Sequence, residues 1–282
     1  MPSKIFLDSG DPRETREMIA LLGSLDGQTT NPTLIAKNSQ AQGCLARGEK
    51  FTQDEVYDFY KNVVREISAI IPDGSVSIEV YADMHTRAEE MIVQGREMYE
   101  WIPNAHIKLP TTKEGLKAAQ ELSQNGMRLN MTLVFSQSQA AAVYAATRGA
   151  KKGDIFVSPF IGRLDDKEEN GMDLIENILK MYETGDGHVE ALTASVRTMD
   201  HFYAALKLGS HIITAPYALL KEWGTGGKKM PNNEFVYKTN FAPIPYQSLD
   251  LANDWQSFPI QHPLTEKGIE RFSEDWNKMI HV

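Results

Sequence analysis

A closed (β/α)8 TIM barrel is the fold class this sequence predicts, and three observations carry the prediction. Eight short β-rich runs recur along the chain, amphipathic helical stretches separate them, and the Gly-rich dinucleotide fingerprint of an open doubly wound sheet is missing. The first run, KIFLDSG (4–10), leads into RETREMIALLG, whose final glycine suits the left-handed residue that closes a helix. The second, GQTTNPT (27–33), opens a long unit: two helical patterns fill roughly 33–71, so an extra helix is expected after this strand. SVSIEVYA (75–82) and AHIKLP (105–110) supply strands three and four, the latter followed by KEGLKAAQELSQNG. RLNMTLV (128–134), DIFVSPF (154–160) and EALTASV (190–196) each precede a further helical pattern, and SHIITAP (210–216) is the eighth strand. We read 1–282 as a single barrel domain in which 221–282 is a C-terminal extension. It is a Gly, Pro and Asn-rich tract and then a helix from about Thr265 to Met279. GTGGKK within it lacks the spacing and the preceding strand of a phosphate loop and reads as a plain loop.

Bulk properties narrow the function classes. Of 282 residues, 41% are hydrophobic and 24% charged, the balance of a chain that buries one large core. No apolar run reaches the roughly 20 residues that cross a bilayer, and MPSKIFLDSG has no cleavable hydrophobic region, so a cytoplasmic protein without membrane partners is expected. A net charge of -9 argues against nucleic acid as a partner but not against a small anion. Distant carboxylates are screened over about 8 Å, so well-placed arginines in a cleft outweigh them. Cys44 is the only cysteine, and its neighbours QGCLARGEK look like a loop, which makes it a poor nucleophile. The seven histidines are scattered and HExxH is absent; DDKEEN (165–170) reads as a solvated charge run. No metal and no cofactor are called for.

In a barrel of this kind chemistry sits at the C-terminal ends of the strands. That filter selects Asp8, Asn31, Glu79, Lys108, Asn130, Thr132, Ser158, Arg163 and Arg197. Lys108, between Ile107 and Leu109, points opposite to both; it is either a lysine that snorkels to the rim or a buried Schiff-base nucleophile. An amine nucleophile must be partly neutral near pH 7. At the reference lysine pKa of about 10.4 only some four in ten thousand are; near 7.5 roughly a quarter would be. An apolar interior or a nearby cation supplies the difference of about 4 kcal/mol. Glu79 and Asp8 are rim carboxylates or, beside such a lysine, the acid and base that imine chemistry requires. Asn31 in TTNPT is a turn former or a ligand-binding amide. Asn130 and Thr132 share one strand face and, with Ser158, suit the hydroxyls of a polyol. Arg163 and Arg197 follow adjacent strands and are surface residues or a clamp on one phosphate.

With these residues assembled the sequence resembles the transaldolase family, from about residue 4 to residue 220, nearer its small bacterial transaldolase and fructose 6-phosphate aldolase branch. FLDSG, GQTTNPTLI, VSIEV, IKLPTTKEGLKA, LNMTLVFS, VSPFIGRLDD and TASVR carry the resemblance in order. It implies that Lys108 forms an imine with C2 of a ketose phosphate, that Asp8 takes the C4 hydroxyl proton, and that Glu79 acts through a water held by Thr132. Asn31, Asn130 and Ser158 would hold the dihydroxyacetone unit, and Arg163 and Arg197 the phosphate. An aldose phosphate would accept the unit, in the non-oxidative pentose phosphate pathway. Phosphorylated sugars are the implied partners, and a homo-oligomer, dimer or larger ring, the implied assembly. Glu79 and Phe160 stand where the aldolase branch tends to have glutamine and tyrosine, which favours transfer over release, although Phe160 by itself also reads as a core aromatic. The alternatives are a lyase of fructose 6-phosphate aldolase type and a silent barrel used as a scaffold.

Overall fold

The computed structural model describes residues 2–281. Eight parallel strands close into one barrel in sequence order: β1 (Lys4–Asp8), β2 (Gly27–Thr29), β3 (Ser75–Glu79), β4 (Ala105–Pro110), β5 (Leu129–Val134), β6 (Ile155–Pro159), β7 (Val189–Thr193) and β8 (Ile212–Pro216). β8 pairs with β1, with Lys4 opposite Ile212, so no edge is left unpaired. The outer layer is α1 (Pro12–Leu22), α4 (Gln53–Ile70), α5 (Ala88–Tyr99), α6 (Lys113–Gln124), α7 (Gln137–Ala146), α9 (Gly171–Tyr182), α10 (Met199–Leu208) and α11 (Tyr217–Thr225). Short helices α2 (Pro32–Ala36), α3 (Ser39–Ala46) and α8 (Ile161–Asp165) follow strands two and six, and α12 (Pro263–Asn277) ends the fold. Among the described residues no helix is long and apolar enough to cross a membrane.

The eight strand runs were legible: β4 matches its run, β1, β2, β3 and β7 stop short of theirs on the C-terminal side, β5 and β8 start later than theirs, and β6 is trimmed at both ends. Other expectations change. The unit after β2 carries three helices, not two, and Cys44 sits in α3 instead of a loop, its half-buried thiol beside Arg47. The helix begins because Asn38 accepts a hydrogen bond from Gln40 N at 2.9 Å, a cap that overrides the glycine and polar residues of the segment. DDKEEN is not uniformly solvated: Asp165 lies 2.7 Å from His201 Nε2 and Asp166 pairs with Arg197. The last barrel helix runs on to Thr225, and α12 starts two residues before Thr265 because Pro263 fits the first helical turn.

Between them, irregular chain crosses the barrel's outer helices in reverse order. Tyr237 bonds His201 of α10, Ile244 accepts from Asn177 of α9, Pro245 from Gln137 of α7, and Trp255 donates to Gln120 of α6. This route delivers α12 to the mouth of its own barrel. There Thr265 donates to Leu133 O at 2.9 Å, Thr33 donates to Asp275 at 2.6 Å, and Trp276 packs edge-on against Tyr57 and Tyr60. Ile269, Phe272 and Trp276, the apolar face of the helix, are buried in that contact.

The inside of the barrel is layered. Its floor is aromatic: Phe156 meets Phe6 edge-on, and His106 stacks on Phe156 at 4.1 Å. Ser75 donates to His106 Nδ1, and His106 Nε2 donates to Gly153 O, which fixes a neutral tautomer. Burial pushes this imidazole down to about 3. Because the unfolded chain binds a proton near pH 6.5 and the folded one does not, stability is complete above that pH and is lost as pH falls toward 3. We expect the unfolding free energy to drop by up to about 1.4 kcal/mol per pH unit below 6.5 on account of this residue. Urea titrations of wild type and His106→Gln at pH 7 and 5 check it; parallel declines would refute it.

Candidate active site

Above that floor the inward positions turn polar. Ile107 faces α5, where a side chain at Gly95 would touch it, so its neighbour Lys108 faces the interior, 3% exposed. Of the two readings of Lys108, rim or interior, the structure has the interior one. Its Nζ lies 3.0 Å from Glu79 Oε2 and donates to Thr30 O at 3.3 Å. The pairing is set by register, since Glu79 and Lys108 are directly opposite on β3 and β4. The nearest charge is thus a carboxylate and not the neighbouring cation the sequence also allowed.

Two carboxyls serve this amine from different positions. Glu79 is 4% exposed, and its backbone N–H donates to the buried Tyr60 hydroxyl at 2.9 Å. Burial pushes the Glu79 carboxyl up, against the opposing pull of Lys108. Asp8 is half-buried at the end of β1, where Thr29 donates to it at 2.7 Å. It too is pushed up by burial, with Lys108, Thr29 and Lys37 pulling the other way. Asp8 and Lys108 line the same open cavity; Glu79 lies behind Lys108, on a separate small void beneath α12. Asp8 can therefore touch a ligand directly, whereas Glu79 reaches one only through an intervening group.

The amides and hydroxyls form two sets. Asn130 donates to Ser77 at 3.0 Å and accepts from Ser158 at 2.6 Å, which holds both side chains across β3, β5 and β6. Thr132 lies at a bulge, next to Leu133 with φ 60°, and its buried Oγ1 has no hydrogen-bond partner. Glu79 Oε2, near the ammonium but off the line of any donor hydrogen, is likewise without one. Buried polar atoms without partners are costly and call for a ligand or water. Asn31 unites its two readings: its Oδ1 caps α2 by accepting from Leu34 N at 2.9 Å, and the residue lines the cavity, so only its NH2 is left for a ligand.

The cavity, about 250 Å3, opens at the C-terminal ends of the strands. Asp8, Asn31, Lys108, Ser158, Phe160, Arg163 and Arg197 all line it; Glu79, Asn130 and Thr132 support it from behind. Phe160 is more than core packing, since its ring lies 5.9 Å from Lys108 Nζ and 5.4 Å from the Arg163 guanidinium. Phe272 of α12 lies 5.4 Å from the same guanidinium. Arg197 crosses the backbone of Gly162, where any side chain would collide with it, and forks onto Asp166. Lys37, Thr214 and Arg271 also line the wall, and no motif or strand-end position marks them in the sequence. Arg271 is hidden because the periodicity of α12 marks only its buried face, and where that helix docks is a tertiary matter.

The family model described as "Transaldolase/Fructose-6-phosphate aldolase" matches residues 5–282. A protein of Thermoanaerobacter sp. named "Probable transaldolase" is 37% identical over 275 residues, covering 98% of this chain and 97% of that one. Proteins with the same name from Dehalococcoides mccartyi and Thermus thermophilus are 34% and 35% identical over 276 residues, with 98% of this chain and 99% of theirs covered.

Proposed function

Since the chain belongs to the transaldolase/fructose-6-phosphate aldolase family, we propose that it is a transaldolase that moves a dihydroxyacetone unit between phosphorylated sugars through a Lys108 imine. The donor is sedoheptulose 7-phosphate or fructose 6-phosphate, the acceptor glyceraldehyde 3-phosphate or erythrose 4-phosphate, and the setting the non-oxidative pentose phosphate pathway. The observation that carries this reading is the amine–carboxylate pair of Lys108 and Glu79, enclosed in the barrel, with Lys108 also lining a cavity that Asp8 lines.

The steps follow from those positions. Moving the ammonium proton to Glu79, whose carboxyl burial has already raised, frees the Lys108 amine. The amine attacks C2 of the ketose, and the resulting carbinolamine loses its hydroxyl as water. A water held by Glu79 and Thr132, whose buried oxygens have no hydrogen-bond partner, is the relay for that proton and later the hydrolytic nucleophile. Asp8 then accepts the C4 hydroxyl proton; the C3–C4 electron pair flows into the protonated imine (iminium), the aldehyde leaves, and a neutral enamine stays on Lys108. Its C3 attacks the carbonyl of the incoming aldose, whose new hydroxyl takes the proton back from Asp8, and hydrolysis releases the product. Asn31, with Asn130 and Ser158, orients the three-carbon unit, and Phe160 gives it a water-poor wall that delays hydrolysis of the intermediate.

Incubation with fructose 6-phosphate and borohydride should alkylate Lys108 alone, as read by peptide mapping. Without erythrose 4-phosphate, glyceraldehyde 3-phosphate should appear as one equivalent per site and then stop. Steady release without an acceptor would make the protein a lyase, and an unlabelled Lys108 would remove both readings.

A further inference from the structure

The cationic end of the cavity is built differently from a simple pair of strand-end arginines. Arg197 is already forked onto Asp166. Arg163, 5.4 Å from each of two rings, makes no ion pair among the described residues. A side chain at Gly268 of α12 would fall 2.8 Å from Arg163 Nη1, so the backbone of the C-terminal helix lies directly on that guanidinium. Residues 268, 271, 272 and 275 share one helix face. Phe272 covers Arg163, Asp275 is tied to Thr33 of α2, and Arg271 stands at the rim with its Nε 3.9 Å from Asp275, too far for a hydrogen bond. Lys37, one residue beyond α2, lines the same cavity as Arg271. Among the described residues, Asp8 is the only carboxylate that lines this cavity.

We propose that Arg271, supplied by the C-terminal extension, is a specificity-determining residue that joins Arg163 and Lys37 on the terminal phosphate and so selects phosphorylated over unphosphorylated sugars. The idea rests on the transaldolase reading for its substrate and on the cavity for its geometry. Burial and the Arg271 charge both push the Arg163 guanidinium down, an unfavourable juxtaposition of like charges that a bound dianion relieves. Two forks on one phosphate give bidentate, charge-assisted bonds, and Arg271, exposed at the rim, adds a modest, salt-sensitive share.

The experiment compares wild type, Arg271→Gln, Arg271→Lys and, as a control elsewhere on the same helix, Lys267→Gln. In Arg271→Gln we expect KM for fructose 6-phosphate and the inhibition constant of inorganic phosphate to rise about fivefold to tenfold, with kcat nearly unchanged. Turnover of unphosphorylated D-glyceraldehyde as acceptor at saturating donor should not move, Arg271→Lys should recover part of the loss, and Lys267→Gln should behave as wild type. Unchanged KM and phosphate inhibition in Arg271→Gln, or an equal loss toward D-glyceraldehyde, would overturn the proposal. A wild type without turnover would defeat the aldol reading alone; calorimetric titration with inorganic phosphate then decides on Arg271 by the same criterion.

Discussion

Lys108→Met should abolish borohydride trapping and lower turnover by about 10^4-fold or more, because the enclosed amine that makes the proposed covalent bond is gone. Methionine keeps the length and apolar stem, so the loss reports the missing nitrogen and not a cavity. The same change removes the cation paired with a carboxylate that is 4% exposed. Breaking one side of a buried ion pair typically costs about 3–5 kcal/mol. Part of that is recovered here when Glu79, already pushed up by burial, takes a proton. The double variant Lys108→Met/Glu79→Gln should therefore be more stable than Lys108→Met while remaining inactive. Melting curves and turnover on all three proteins check this. Turnover in Lys108→Met within tenfold of wild type would eliminate the imine mechanism.

The second large effect is expected at Asp8. Asp8→Asn should reduce turnover by about 10^2–10^4-fold, the usual contribution of a positioned general base, with little change in borohydride trapping. Trapping persists on the proposed mechanism, in which imine formation draws on Glu79 and C3–C4 cleavage on Asp8. The direction of the Asp8 shift also predicts a pH profile. A carboxyl raised by burial is ionised only above the ordinary range near 4, so the acid limb of kcat/KM should fall above that value. Glu79 is raised as well and both couple to Lys108, so the limb belongs to the group and not to one residue. An acid limb at or below the ordinary carboxylate value, or an Asp8→Asn variant defective in trapping, would contradict the assignment.

The barrel was legible because its signal is local and repeated. Each strand is a short β-rich run at a predictable spacing, and closure follows once eight such units alternate with helices. The inward direction of Lys108 was half legible, since period-two alternation places it opposite Ile107 and Leu109 without saying which face is the core. Cys44 and Asp165 were misjudged from composition: a side-chain cap created a helix at the first, and a distant histidine supplied a partner for the second.

What the sequence by itself determined is the architecture and the set of strand-end groups, because both depend on residue type at fixed spacing along one chain. Tertiary structure alone decided that Glu79 meets Lys108 within 3.0 Å, that Arg197 is engaged by Asp166, and that α12 brings Arg271 and Phe272 to the mouth of its own barrel. The physical reason is that the first class of fact is written in short-range periodicity. The second depends on the register of neighbouring strands and on the path of an irregular tail, and neither leaves a periodic trace in the residues that take part.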